Sequence, residues 1–98
     1  MILEQAVLSV TPGREAEFEL AFDRAKRIIA AMPGFADLTL SRRLERPSAY
    51  LLLVHGERLE DHTEGFRGSA EYQEWRALLH HFYEPFPVVE HLETVSTA

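Results

Sequence analysis

The segment Ala49–His55 constrains this chain most. Read as a strand, it puts Tyr50, Leu52 and Val54 on one face and Leu51, Leu53 and His55 on the other, because successive strand side chains point to opposite sides. Both faces are largely apolar, which predicts a central strand covered on both sides. A chain of 98 residues can build only one core around it, since a chain this short buries only about two-thirds of the surface its unfolded form exposes. Residues 1–98 are therefore read as a single domain.

The other segments supply the layers. Ile2–Val10 is a mostly apolar run stopped by Thr11-Pro12-Gly13, and it reads as a strand. Thr11 is placed to cap a helix with Pro12 at its first position. Phe18, Phe22, Ala25, Ile29 and Met32 then recur at helical spacing on one face, until Pro33-Gly34. Phe35–Leu44 alternates, with Leu38, Leu40, Arg42 and Leu44 opposite Asp37, Thr39, Ser41 and Arg43, as a half-covered strand does. The Pro47 turn makes it a hairpin with Ala49–His55. Leu59–Gly68 reads as a short helical piece with His62 and Phe66 on one face. Ser69 caps a second helix, where Tyr72, Trp75, Leu79 and Phe82 share a face until Pro85 and Pro87. Val88–Val95 is the last strand.

The order β-α-β-β-α-β predicts an α+β, ferredoxin-like fold, a four-stranded antiparallel sheet with two helices on one face. The opposite face would leave Leu and Val side chains in water, and monomers rarely expose large apolar patches. A second copy of the same sheet is the simplest cover, so a homodimer is expected.

Charge and composition narrow the partners. Ten basic residues against sixteen acidic ones give a net charge of −6, which disfavours nucleic acid as the main partner. Arg42, Arg43 and Arg46 form only a local basic cluster and read as a solvated strand end. The absence of cysteine excludes disulfides, thiolate nucleophiles and iron–sulfur ligation. With no signal peptide visible at Met1–Gln5 and no long apolar run, a cytoplasmic location without membrane contact is expected.

Four features, in order, carry a family resemblance. They are Val10-Thr11-Pro12-Gly13 before an acidic helix with Phe18 and Phe22, then Met32-Pro33-Gly34-Phe35, the hairpin ending near His55, and the run His62, Phe66, Ser69, Tyr72, Trp75. In these the chain resembles the antibiotic biosynthesis monooxygenase domain of the dimeric α/β-barrel superfamily. The resemblance implies a pocket between helices and sheet, and oxidation of phenolic or quinol substrates with neither metal nor flavin. No cofactor and no metal site are therefore expected. The haem-cleaving branch of the family resembles an Asn, Trp, His triad; the matching positions here are Ala6, Phe66 and Arg76, so haem degradation is not expected.

Near the implied pocket lie His62, Phe66, Tyr72, Trp75, Arg76, His80, His81 and Tyr83. His62 is the expected catalytic base, because an imidazole titrating near neutrality can take a proton from a phenol-like hydroxyl. Phe66, Tyr72, Trp75, Arg76 and His81 are the expected substrate-binding residues, with Trp75 and Tyr72 as an aromatic wall that also suits plain core packing. His80-His81 is a poor metal pair, since adjacent helical residues point about 100° apart. Two readings of function follow: a cofactor-independent monooxygenase acting on a small aromatic molecule, or a non-catalytic dimer that binds a small apolar ligand. A closed cavity of several hundred Å³ beside His62 would favour the first; a space filled by Phe66, Tyr72 and Trp75 would favour the second.

Overall fold

The computed structural model describes residues 2–98. Its elements follow the predicted order: β1 Ile2–Ser9, α1 Glu15–Ala30, β2 Phe35–Arg42, β3 Ala49–Gly56, a π-helical turn Asp61–Phe66, α2 Ala70–Leu79, a 3-10 turn His80–Phe82 and β4 Val89–Glu93. All strand pairs are antiparallel, in the order β2-β3-β1-β4. This is the ferredoxin-like α+β arrangement. No helix among the described residues is long and apolar enough to cross a membrane.

Periodicity decides what is buried. On α1 the residues Phe18, Phe22, Ala25 and Ile29 are buried, the same stripe that recurs at helical spacing in the sequence. They meet Ala6, Leu8 and Val10 from β1 and Tyr50, Leu52 and Val54 from β3, with Trp75, Leu79 and Phe82 closing the core from the second helical layer. Phe18 sits at its centre, fully buried. Its ring lies 4.8 Å from that of Tyr50 and 5.8 Å from that of Phe82, within the range for favourable tilted aromatic pairs.

The other sheet face has no cover in the single chain. Leu3, Val7, Leu51 and Leu53 stand on it half-exposed, because they alternate with the buried residues of β1 and β3. The sheet is open and does not close into a barrel on its own.

The structure corrects several boundaries. Helix α1 begins at Glu15, with Arg14 rather than Thr11 at its N-cap. The Thr11 hydroxyl donates instead to the Phe82 carbonyl, and Gly13, at φ +93°, turns the chain before the helix starts. Strand β2 ends at Arg42 and leaves Leu44 exposed. A bulge between Phe35 and Asp37 turns the Phe35 side chain towards the core. His55 is not buried: on the open face its Nδ1 lies 2.6 Å from the Asp37 carboxylate. The Ser69 cap is present, its hydroxyl accepting from the Tyr72 N–H. Gly34 sits at φ +83°, and a Cβ there would collide with the Asp61 carboxylate, so glycine is required where α1 hands over to β2.

Truncating Phe18 to alanine empties the middle of the core. The expected cost is about 3–5 kcal/mol of unfolding free energy, measured by chemical denaturation.

Candidate functional site

A small cavity lies between the inner face of the sheet and α2. Its floor is Ala6 and Leu8 of β1 with Leu52 of β3, and Phe66, Tyr72, Trp75 and Tyr83 form its aromatic walls. Its volume is ≈ 60 Å³, enough for about two waters at roughly 30 Å³ each. The walls brace one another: Phe66 meets Tyr72 and Trp75 edge-on at 5.3 and 5.6 Å, and Trp75 meets Phe22 at 5.9 Å.

Glu4, Arg67 and His80 bring charge or titratable nitrogen to this largely apolar space from different elements. His80 stands at the start of the 3-10 turn, its ring among Tyr72, Tyr83 and Phe86 at 6.0, 5.8 and 4.9 Å. Its Nδ1 is buried with no hydrogen-bond partner. Burial pushes its pKa below the ordinary histidine value, and the nearby Arg76 charge adds to that shift. His80 is thus held as neutral imidazole, the form that can accept a proton. Beside it, burial pushes the Tyr83 hydroxyl well above its usual pKa.

Glu4 lies on the helix-facing side of β1, directly opposite His91 of β4. Its Oε1 is 3.3 Å from His91 Nε2, 3.8 Å from His62 Nδ1 and 3.6 Å from Arg67 Nη2. His62 is only 5 % exposed. It rises from the π-helical turn, a widened turn of the kind often found at functional sites. A Cβ on Gly56 would sit 2.9 Å from His62 Nε2, so glycine there lets the ring approach β3 this closely.

The residues expected from the sequence are distributed unevenly. Phe66, Tyr72 and Trp75 line the cavity. His62 stands behind Glu4, off the cavity wall. Arg76 and His81 are exposed and outside it; the His81 ring packs on Phe82, 4.2 Å away. Among the haem-triad positions, Ala6 and Phe66 face the cavity and Arg76 does not. Glu4 was missed. Its one signal was a carboxylate inside an apolar strand, and the pairing with β4 was needed to reveal its surroundings.

A larger groove of ≈ 700 Å³ runs along the other flank of α1, against β2. It is open to water and edged by Glu19, Asp23, Lys26 and Arg42. In it the Tyr50 hydroxyl donates to Glu19 over 2.6 Å. Burial and that carboxylate push the Tyr50 pKa up to about 12.

The antibiotic biosynthesis monooxygenase family profile matches residues 1–78. The chain belongs to this family. It is 57% identical to the uncharacterized protein YczJ of Bacillus subtilis, over 97% of this chain and 100% of that one. A candidate antibiotic biosynthesis monooxygenase from Bordetella bronchiseptica superposes with a TM-score of 0.92 at 37% identity, covering 97% of each chain. SnoaB, a cofactor-independent oxygenase from Streptomyces nogalater, superposes with a TM-score of 0.76 at 20% identity, over 99% of this chain and 94% of that one. The SnoaB likeness is one of fold. As an antibiotic biosynthesis monooxygenase domain, the chain places its aromatic cavity between helices and sheet, where the family resemblance implies a pocket.

The depressed His80 pKa sets a pH dependence. The unfolded chain takes up the proton first as pH falls below about 6.5, so the stability that neutral His80 contributes is present above that pH and is lost as pH falls towards the folded value. A His80→Phe variant removes this group. Melting temperatures from pH 7 to 5 are expected to fall more steeply in the wild type than in the variant.

Proposed function

We propose that this protein is a cofactor-independent monooxygenase acting on a small phenolic or quinol-type molecule. The observation that carries the reading is His80, an imidazole that lines an aromatic-walled cavity and whose buried Nδ1 has no hydrogen-bond partner. A neutral imidazole there can take the proton of a phenolic hydroxyl. The anion pushes electron density onto its ring carbon, which reacts with molecular oxygen. A C–O bond forms at that carbon, the O–O bond breaks, and water leaves. For a simple phenol the balance is one phenol and one O₂ to one quinone and one water, with all electrons supplied by the substrate. The chain's part is to accept the proton, orient the ring between aromatic walls and keep water away from the anion.

His62 remains a base by this reading only through Glu4, which stands between it and the cavity; His80 has the direct path. Tyr72, Trp75 and Phe66 serve as the substrate-binding wall. Arg76 and His81 do not line the cavity. The cavity volume favours a second reading. At ≈ 60 Å³ the space is well below the roughly 300–1,000 Å³ of typical ligand pockets, as expected of a non-catalytic protein that takes up only a small apolar ligand on opening.

An oxygen electrode separates the two readings. With a panel of phenols and hydroquinones, the monooxygenase reading expects oxygen uptake above that of heat-killed protein, reduced about 10²–10⁴-fold in His80→Phe. Running His62→Ala in parallel decides between the two imidazoles. Ligand-induced thermal stabilisation with no oxygen uptake supports the binding protein instead.

The proposed active unit is a homodimer closed through the bare sheet face, the two sheets together forming the α/β barrel. Half-exposed Leu3, Val7, Leu51 and Leu53 support it. Light scattering is expected to give twice the chain mass at micromolar concentration, and Leu53→Lys, which puts a charge into the buried seam, is expected to give the single-chain mass.

A further inference from the structure

The cluster Glu4, His62 and His91 stands apart from His80, sharing with the chemistry above only the indirect route through His62 and Glu4, and is poorly satisfied as it stands. Its carboxylate oxygen and two imidazole nitrogens all lie within 4.8 Å of one another. Among the described residues, the buried side-chain atoms without a hydrogen-bond partner include both His62 nitrogens and His91 Nε2. His62 is more than nine-tenths buried. Two unpartnered nitrogens therefore lie close to one carboxylate oxygen and to each other, in a place where each unpaired polar group costs stability.

We propose that Glu4 Oε1, His62 Nδ1 and His91 Nε2 bind a divalent first-row transition ion of the zinc class. Two imidazoles and one carboxylate form a donor set suited to zinc and its neighbours rather than to magnesium or calcium. The spacing is near what an ion needs. Ligands at 2.0–2.1 Å from a tetrahedral ion stand about 3.3 Å apart; the His91–Glu4 separation is 3.3 Å and the His62–Glu4 separation 3.8 Å, with the two imidazole nitrogens within 4.8 Å of each other, so the rings close on the ion by small side-chain rotations. The ligands come from three separate elements: β1, the π-helical turn and β4. Gly56 helps fix the orientation of the His62 ring, because it leaves room for Nε2 and allows Nδ1 to face Glu4.

One group opposes the ion. Arg67 reaches the same carboxylate oxygen at 3.6 Å, and its positive charge competes with a metal there. Its side chain is 39% exposed, so it can turn out into water when the ion arrives. Glu4 also lines the cavity, which puts the bound ion at one end of it. The proposal stands on the cluster alone. Its readouts are stoichiometry, affinity and thermal stability, so it can fail or hold independently of oxygen uptake.

The test uses full-length, tag-free protein stripped with a chelator and titrated with zinc and with cobalt(II) chloride. Calorimetry is expected to show one ion per chain, with a rise in melting temperature on loading and a visible cobalt absorption band. His91→Ala and the near-isosteric Glu4→Gln are each expected to weaken binding at least about tenfold, the lower bound for losing even an outer partner of a metal ligand. Arg67→Ala is expected to tighten it. Circular dichroism confirms that each variant is folded, and Glu4→Gln carries the result if His91→Ala is not. Absence of saturable binding at one ion per chain overturns the proposal. So does wild-type affinity in both ligand variants, which would assign any binding to histidines elsewhere.

Discussion

The contact of Phe18 with Tyr50 holds the two layers in place. Phe18 comes from α1 and Tyr50 from the central strand β3, and their rings sit 4.8 Å apart. The same Phe18 ring also receives Phe82 and Tyr83, at 5.8 and 6.1 Å. The 3-10 turn after α2 is therefore located by a side chain of α1, and His80 is located with it. Burying the Tyr50 phenol next to this cluster requires a partner for its hydroxyl. Glu19 supplies one from the next position on α1, and Arg42 at the end of β2 pairs with that carboxylate in turn. A misplaced α1 would therefore disturb the sheet, the turn and the cavity wall together.

The sequence could be read wherever one residue's surroundings follow from its neighbours along the chain. The Phe18–Ile29 stripe and the Trp75, Leu79, Phe82 stripe were legible because helical periodicity is itself the burial rule. The central position of β3 was legible because apolar residues on both faces suit only an interior strand. The Ser69 cap was legible because a small hydroxyl before a helical stripe has few other roles. The start of α1 was not, because Thr11 found a partner 71 residues away in the Phe82 carbonyl, and no local rule anticipates that competition.

The candidate site was half legible for the same reason. Tyr72 and Trp75 share a helical face, and the family resemblance set Phe66 beside them, so their meeting could be foreseen. Glu4 could not be placed: a lone carboxylate in a strand reads as a solvated position, and only the β1–β4 register sets it opposite His91. His80 and His81 are adjacent in the sequence, yet one enters the aromatic box and the other lies on the surface against Phe82. Their divergence follows from the roughly 100° between adjacent helical residues, but which of the two turns inward is set by the surrounding rings.

The cavity's small size follows from how its walls are supported, and that support is lopsided. Phe66, Tyr72 and Trp75 interlock, and Trp75 is tied through Phe22 to α1, so moving any of them disturbs the core. Phe86 is different. It is 62% exposed and its one close ring contact among the described residues is His80. Displacing it would break a single aromatic pair, worth about 0.5–1.5 kcal/mol beyond the area involved, whereas displacing Trp75 would strip a core side chain at several times that cost. Under the monooxygenase reading, the least costly way to enlarge the chamber is therefore on the Phe86 side. The same movement frees the side of the His80 ring on which Phe86 packs, so admission of substrate and access to the base are served by one side chain.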